Sequence, residues 1–229
     1  MLKPKFSLSK PNFLAVNTRI EVHTLNWMTA FFIFAACVVL LSDHLSVFVR
    51  QYSFQIFLGA AVLWMLIKTE WRPLLRLDGK VALYILILGG SYFGGLLLLD
   101  QLVRLYGVEG RPGPIEWRDD LILLAVIAPI AEELFFRDLL LRSLYHRIPN
   151  RFWAAIISSA IFMVAHLTIY PGAFFLGLVN SIFVFTSRSL IPGIVFHSLS
   201  NMSLLFLPAW YPALWAALHE LNLLTQFYR

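Results

Sequence analysis

The sequence predicts an all-α protein built into a membrane, with about eight transmembrane helices enclosing a polar cavity at bilayer depth. Three observations predict it. Hydrophobic residues make up 59% of the 229 positions and charged residues 14%, with a mean hydropathy of +0.75, against roughly 45–50% and about 25% in soluble domains. The apolar residues gather into runs close to the ~20 residues that a spanning helix needs. Three of those runs nevertheless carry ionisable or amide side chains: E-E-x-x-x-R at Glu132, Glu133 and Arg137, F-x-x-x-H at Phe162 and His166, and H-x-x-x-N at His197 and Asn201. A charge at mid-bilayer costs about 3 kcal/mol on insertion scales, so such residues mark a functional site by default.

Residues 1–26 read as a short, basic cytoplasmic arm containing Pro4 and Pro11. They lack a clear small-residue cleavage site ahead of a soluble domain, so the first helix is expected to be retained. Three plain spans follow within residues 27–105, at Trp27–Leu41, Ser53–Ile67 and Val81–Leu99. The third contains Gly90-x-x-x-Gly94, a small-residue stripe that lets another helix approach closely. Residues 106–120, with three glycines and two prolines among charged side chains, form the one long external loop and the internal boundary. Residues 121–229 form a core of five spans: Leu121–Leu144, Phe152–Ile169, Gly172–Ser187, Leu190–Leu207 and Trp210–Phe227. Pro171, Pro192, Pro208 and Pro212 punctuate a nearly continuous apolar run there and set the boundaries.

This arrangement divides the cations unequally. With the N-terminus inside, thirteen Lys and Arg fall on the inner segments and four, Arg50, Arg104, Arg111 and Arg118, on the outer ones. The positive-inside rule then places both termini in the cytoplasm, of a bacterial inner membrane by its general look. The formal net charge of +5 is explained by basic loops beside anionic lipid, and no nucleic-acid-binding motif accompanies it. The single Cys37 excludes a disulfide framework and a C-x-x-C pair.

Within the core, Glu132 and Glu133 point about 100° apart on a helix, whereas Glu133 and Arg137, four residues apart, share a face. Glu133 is expected to pair with Arg137 structurally and leave Glu132 as a base facing a cavity. Asp138 is expected to be a second partner for Arg137, with no catalytic role. Pro129, three residues before Glu132, removes a hydrogen bond inside the span and predicts a local opening. Glu132 and His166 together hold and deprotonate a water in this reading. His197 and Asn201, at i, i+4 spacing, face one way and stabilise an oxyanion. Asn180 and Ser181, also in a span, read as interhelical hydrogen-bond partners. At about 1.5 Å per residue these bounds set Glu132 near mid-bilayer, His166 toward the outer end and His197 toward the inner end.

Other motifs fail. His219-Glu220-Leu221-Asn222-Leu223 begins like H-E-x-x-H but ends in leucine, Gly89-Gly90-Ser91-Tyr92-Phe93 misses G-x-S-x-G, and no aspartate pair occupies two spans.

With its three motifs complete and in order, the chain resembles the CAAX protease and bacteriocin-processing family of intramembrane glutamic-type endopeptidases. The likeness extends through Ser187 to His197 and covers about residues 120–205. It implies an eight-helix intramembrane protease in which Glu132 activates water with His166, while His197 and Asn201 stabilise the oxyanion; Glu133, Arg137 and Phe162 support them. Members of that family are described both as metal-dependent and as glutamate-dependent; the residues favour the second, which requires no cofactor. If hydrolysis were metal-dependent, zinc would sit on Glu132, His166 and His197, although the asparagine and the apparent lack of an acid behind the histidines fit that less well. The expected partners are a protein or peptide substrate at the membrane and the lipid bilayer itself. A non-enzymatic immunity or partner-binding membrane protein is the alternative, and a transporter finds no support in an inverted repeat.

Overall fold

In the computed structural model, residues 16, 18–69, 71–113, 121–166 and 171–220 are described, and all their regular structure is helical. Among the described residues eight longer helical segments succeed one another, with a 3-10 turn at Ser42–His44 after the first. Helix α1 spans Thr18–Leu40, α2 Val47–Lys68 and α3 Gly79–Leu105. A continuous helical run over 121–147, here α4, alternates in register and is followed by α5 (Arg151–Ala165), α6 (Pro171–Ser187), α7 (Ile191–Trp210) and α8 (Pro212–Glu220). Of these, α1 and α3 are both long and apolar enough to cross a membrane, while α5, α6 and the Tyr52–Lys68 part of α2 are shorter apolar helices. On α3 only 6% of the most apolar stretch is buried. Leu83, Leu86, Ile87, Leu97 and Leu98 stand exposed there, a surface that suits hydrocarbon and not water.

Local chemistry sets the ends. Ser46 caps α2 by accepting the Val49 amide at 3.3 Å, and Asp78 caps α3 by accepting that of Val81 at 2.9 Å. The Val81 amide and the nearby Arg76 guanidinium hold the Asp78 carboxyl below the usual carboxylate range. Asn150 caps α5 through the amides of Phe152 and Trp153. After α3 the chain turns at Gly107 with φ +83°, where glycine is under no steric penalty.

The apolar runs correspond to helices, but their bounds differ from those expected. The first begins at Thr18, not Trp27, so the described end of the arm is helical. Buried Glu21 explains this: it ties α1 to the end of α4 through His146 Nδ1 at 2.6 Å and through Arg147. Trp210 ends α7 instead of opening the last helix, because the break falls at Tyr211 before Pro212. The expected tail of the last span, 221–227, most of the arm and loop residues 114–120 lie outside the described residues.

The Gly-x-x-x-Gly stripe of α3 has open space at both Gly90 and Gly94, so it is not the close helix contact the sequence led us to expect. Instead α3 meets α7 through Tyr92, whose hydroxyl donates to Ser203 Oγ at 2.7 Å. It meets α8 through Asp100, whose Oδ1 accepts the Leu214 amide at 2.8 Å.

The extended segment 71–78 between α2 and α3 is strapped down from two sides. Asp138 of α4 accepts the Leu74 amide at 2.7 Å and also binds Arg142. From the α6–α7 turn, Ser189 Oγ donates to the Arg76 carbonyl at 2.6 Å and the Leu190 amide to the Leu74 carbonyl at 2.8 Å. Asp138 therefore partners Arg142, not Arg137 as its sequence neighbourhood led us to expect; adjacent residues on a helix do not face each other, while i and i+4 do.

Candidate active site

Helix α4 carries the two acidic residues on an irregular backbone. Leu123–Ile127 and Glu133–Leu140 are wound as π-helix, with Ala128–Glu132 as α-helix between them. The wider turns show as the Ala128 amide bonding the Leu123 carbonyl and the Leu141 amide bonding that of Phe136, each five residues back. Pro129 accounts for the first of them. With Ala128 already bonded to Leu123, the next π-register donor to the Leu124 carbonyl would be residue 129, and a proline has no N–H. Asn201 supplies the missing donor from α7: its Nδ2 lies 2.8 Å from the Leu124 carbonyl. The sequence led us to expect the Asn201 amide to act with His197 at a common oxyanion; this contact uses part of that amide. One of its N–H groups is committed to holding α4.

Glu132, His166 and His197 do come together. Glu132 Oε2 lies 3.8 Å from His166 Nε2 and 3.7 Å from His197 Nε2. That oxygen is buried and has no hydrogen-bond partner among the described residues. The conflict of depths implied by the sequence disappears because α5 is short: its last residue is Ala165, and His166 sits at its C-terminal cap where the helix stops. Glu132 and His197 are nearly inaccessible, with 11% and 3% of their side chains exposed, whereas His166 is 37% exposed. Of the three, His166 is the most exposed.

Each ring is held by its other nitrogen. His166 Nδ1 is 2.8 Å from the Phe162 carbonyl and His197 Nδ1 is 3.0 Å from Glu133 Oε1. A carbonyl and an ionised carboxylate only accept, so Nδ1 carries the proton in both, and in a neutral ring Nε2 turns its lone pair toward Glu132. Phe162, fully buried, packs edge-on against both imidazoles, at ring-centroid distances of 4.5 Å to His166 and 5.9 Å to His197.

Beneath this lies a second layer. Glu133 is completely buried and accepts from Asn180 Nδ2 at 2.8 Å. Its Oε2 is 3.6 Å from Arg137 Nε, an ion pair more than a hydrogen bond at that length. The fully buried Arg137 guanidinium lies over the Phe162 ring, with Cζ 4.2 Å from the centroid. Gly177 of α6 makes room for it: a Cβ there would come within 2.9 Å of Arg137 Nη2 and 3.1 Å of Ser159 Oγ. Glu133 thus does more than neutralise Arg137, because it also fixes the tautomer and direction of His197.

Asn180 is an interhelical hydrogen-bond partner as the sequence led us to expect, but its place beneath the site, and the part played by Gly177, were not foreseen. Asn180 stood out only as an amide in an apolar helix, a pattern that ordinary interhelical bonds share; a glycine there gives no signal of its own.

Glu132, His166 and His197 have the chemistry of a metal centre, and Glu133 supplies, behind His197, the acid that the sequence seemed to lack and that ligating histidines ordinarily require. Their spacing, 3.7 and 3.8 Å from Glu132 to the two rings, is slightly wider than that of a closed centre: tetrahedral zinc with bonds of about 2.0–2.2 Å holds its donors about 3.3–3.6 Å apart. Among the described residues no three His, Cys, Asp or Glu side chains are grouped closely enough to hold an ion as they stand.

Residues 116–203 match the family model for Rce1-like proteins, the type II CAAX prenyl endopeptidases. That part of the chain is an Rce1-like domain. No curated protein and no solved structure matches the chain. The Rce1-like domain takes in α4 to α6 and most of α7, and with them Glu132, Glu133, Arg137, Phe162, His166, Asn180, His197 and Asn201. Helices α1 to α3 lie outside the matched stretch. The family is one of membrane-embedded proteases, in keeping with an all-helical chain whose α1 and α3 can cross a membrane.

Proposed function

We propose that this protein is an intramembrane endopeptidase that hydrolyses a peptide bond of a membrane-associated protein or peptide with a water activated by Glu132. The observation that carries the reading is the meeting of a buried, unpartnered carboxylate oxygen with two imidazole nitrogens 3.7 and 3.8 Å away. That separation is too long for direct hydrogen bonds and suits one molecule of water hydrogen-bonded between them. The water donates to Glu132 and to His166, and its free lone pair attacks the carbonyl carbon as Glu132 takes the proton. His197, protonated at Nε2 and balanced by Glu133, gives an N–H to the oxyanion. As the tetrahedral species collapses, the C–N bond breaks and Glu132 returns its proton to the leaving amine. Asn201 acts as a positioning residue through Leu124. The family match favours hydrolysis over the non-enzymatic alternative.

Comparing protein termini in host membranes carrying wild type or Glu132→Gln at equal abundance tests this directly. Termini that vanish with Glu132→Gln are expected. Identical termini, with both proteins folded, would sink the reading.

A second reading is supported by the Nδ1 contacts of both histidines, which leave two lone pairs facing a carboxylate. Glu132, His166 and His197 would then hold a divalent metal such as zinc, which supplies Lewis acidity toward a carbonyl and a more acidic water. Chelation followed by dialysis separates the two. Cleavage that survives metal removal supports the glutamate reading, and loss restored by zinc supports the metal.

A further inference from the structure

Away from the Glu132 group, a basin of about 360 Å³ opens where α3, α5 and the α6–α7 turn meet at one end of the bundle. Arg76, Lys80, Arg151 and Arg188 line it, with Asp78 as its one acidic side chain and Phe185 as an apolar wall.

Three of the four cations stand where the backbone does not favour them. Lys80 is the second residue of α3 and Arg151 the first of α5, at the positive ends of two helix dipoles, where anions belong. Arg188 has φ +58° and is the only described non-glycine residue in that region. It follows the last turn of α6, a position that glycine or asparagine ordinarily fills.

One carboxylate stands among the four cations of the lining, and Arg188 is itself engaged within the protein. Asp78 Oδ2 is 2.5 Å from Arg76, and its other oxygen is used in capping α3. Lys80 Nζ reaches the Thr186 carbonyl at 3.4 Å, and Arg151 lies 5.9 Å over Phe185. The α6 C-terminus adds only a partial negative charge.

We infer that this basin binds the phosphate of an anionic glycerophospholipid headgroup, with the acyl chains laid along the neighbouring exposed apolar surface. Guanidinium groups suit phosphate oxygens through paired N–H donors, and basic residues at a membrane surface draw anionic lipid. A lipid fits better than a free phosphate because of what adjoins the basin. Leu77 precedes α3 with 69% exposure, Leu83 follows one turn up with 56%, and Ile182 on α6 has 49%. This is also the end of the bundle that the charge distribution assigns to the cytoplasm.

The test uses the full chain in nanodiscs of phosphatidylcholine alone or mixed with phosphatidylglycerol, with the thermal unfolding midpoint read from tryptophan fluorescence. Phosphatidylglycerol is expected to raise the midpoint of the wild type, and Arg151→Gln with Arg188→Gly is expected to lose most of that rise. Glycine suits the backbone at 188, so Arg188→Gly removes charge while relieving the φ strain, and misfolding does not confuse the result. Arg19→Gln, an exposed cation on α1, is expected to keep the full rise. A rise undiminished in the double variant, or diminished equally by Arg19→Gln, would show diffuse surface attraction and overturn the site. Millimolar inorganic phosphate reproducing the rise in phosphatidylcholine discs would overturn the lipid assignment.

Discussion

The hydrogen bond from Asn201 to the Leu124 carbonyl predicts a specific dependence between two residues on different helices, Asn201 and Pro129. The bond exists because residue 129 offers no N–H, so its worth should depend on that proline. With Pro129 in place, Asn201→Ala removes the 2.8 Å contact and orphans the carbonyl in a half-buried setting. An unsatisfied polar group of that kind costs about 1–3 kcal/mol, and interhelical hydrogen bonds measured within a membrane average about 0.6 and reach about 1.7 kcal/mol. A loss of about 1–2 kcal/mol is therefore expected. In a Pro129→Ala background the new amide can bond the Leu124 carbonyl in the π register, or α4 can rewind to α-helix, and Asn201→Ala should then cost less than about 0.5 kcal/mol. The coupling, about 1 kcal/mol, is measurable by reversible unfolding of the four proteins in mixed micelles as denaturing detergent is added. Additivity within about 0.3–0.5 kcal/mol, the ordinary scatter for independent sites, would refute the account of Asn201. So would an Asn201→Ala protein of full stability that loses peptide cleavage whichever residue stands at 129, since that is the behaviour of an oxyanion donor.

Two further outcomes follow from the packing. Gly177→Ala gains about 1 kcal/mol of helix propensity, but its Cβ presses within 2.9 Å of Arg137 Nη2, and overpacking costs about 1–3 kcal/mol. A net loss of up to about 2 kcal/mol is expected in the same unfolding assay, and a protein stabilised by the full propensity gain would show that the guanidinium is not held there. Asp138→Asn removes the charge that binds Arg142 and the Leu74 amide, contacts worth about 1.5–3 kcal/mol for a charged acceptor. Segment 71–78 should then loosen, and trypsin should cut faster after the exposed Arg76; unchanged cleavage would show that Asp138 is not the strap.

Much of this was legible in the chain because a membrane makes polarity conspicuous. Against so apolar a background, Glu132, Glu133, Arg137, His166 and His197 could be singled out one by one, and the i, i+4 rule foresaw the Glu133–Arg137 pair. The same rule pointed to Asp138–Arg142, yet adjacency drew the reading toward Arg137. The π register of α4 was not legible, since apolar residues lie on every side of that helix and leave no period to read. Pro129 marked the place of the break but not the form it takes. The depth conflict among the three motifs arose from treating every apolar run as a full span, when α5 stops at Ala165 and sets His166 on its open end.

A buried ion pair seldom repays its desolvation in stability, so the Glu133–Arg137 pair calls for another reason to be kept. The geometry supplies one. Glu133 takes His197 and Asn180 on Oε1 and faces Arg137 with Oε2, and an ionised carboxylate with no exposed surface needs a cation that cannot lose its proton, which only an arginine guarantees. Arg137 in turn needs a cover that is not water. The face of Phe162 provides it, and Gly177 leaves the guanidinium room beside Ser159. The phenylalanine of the F-x-x-x-H motif is thereby explained by the arginine of the E-E-x-x-x-R motif: the ring that packs against both histidines is the ring on which the buried cation rests. Changing Phe162 should disturb the charge layer and the two imidazoles together, and that shared dependence makes the three sequence motifs parts of one construction.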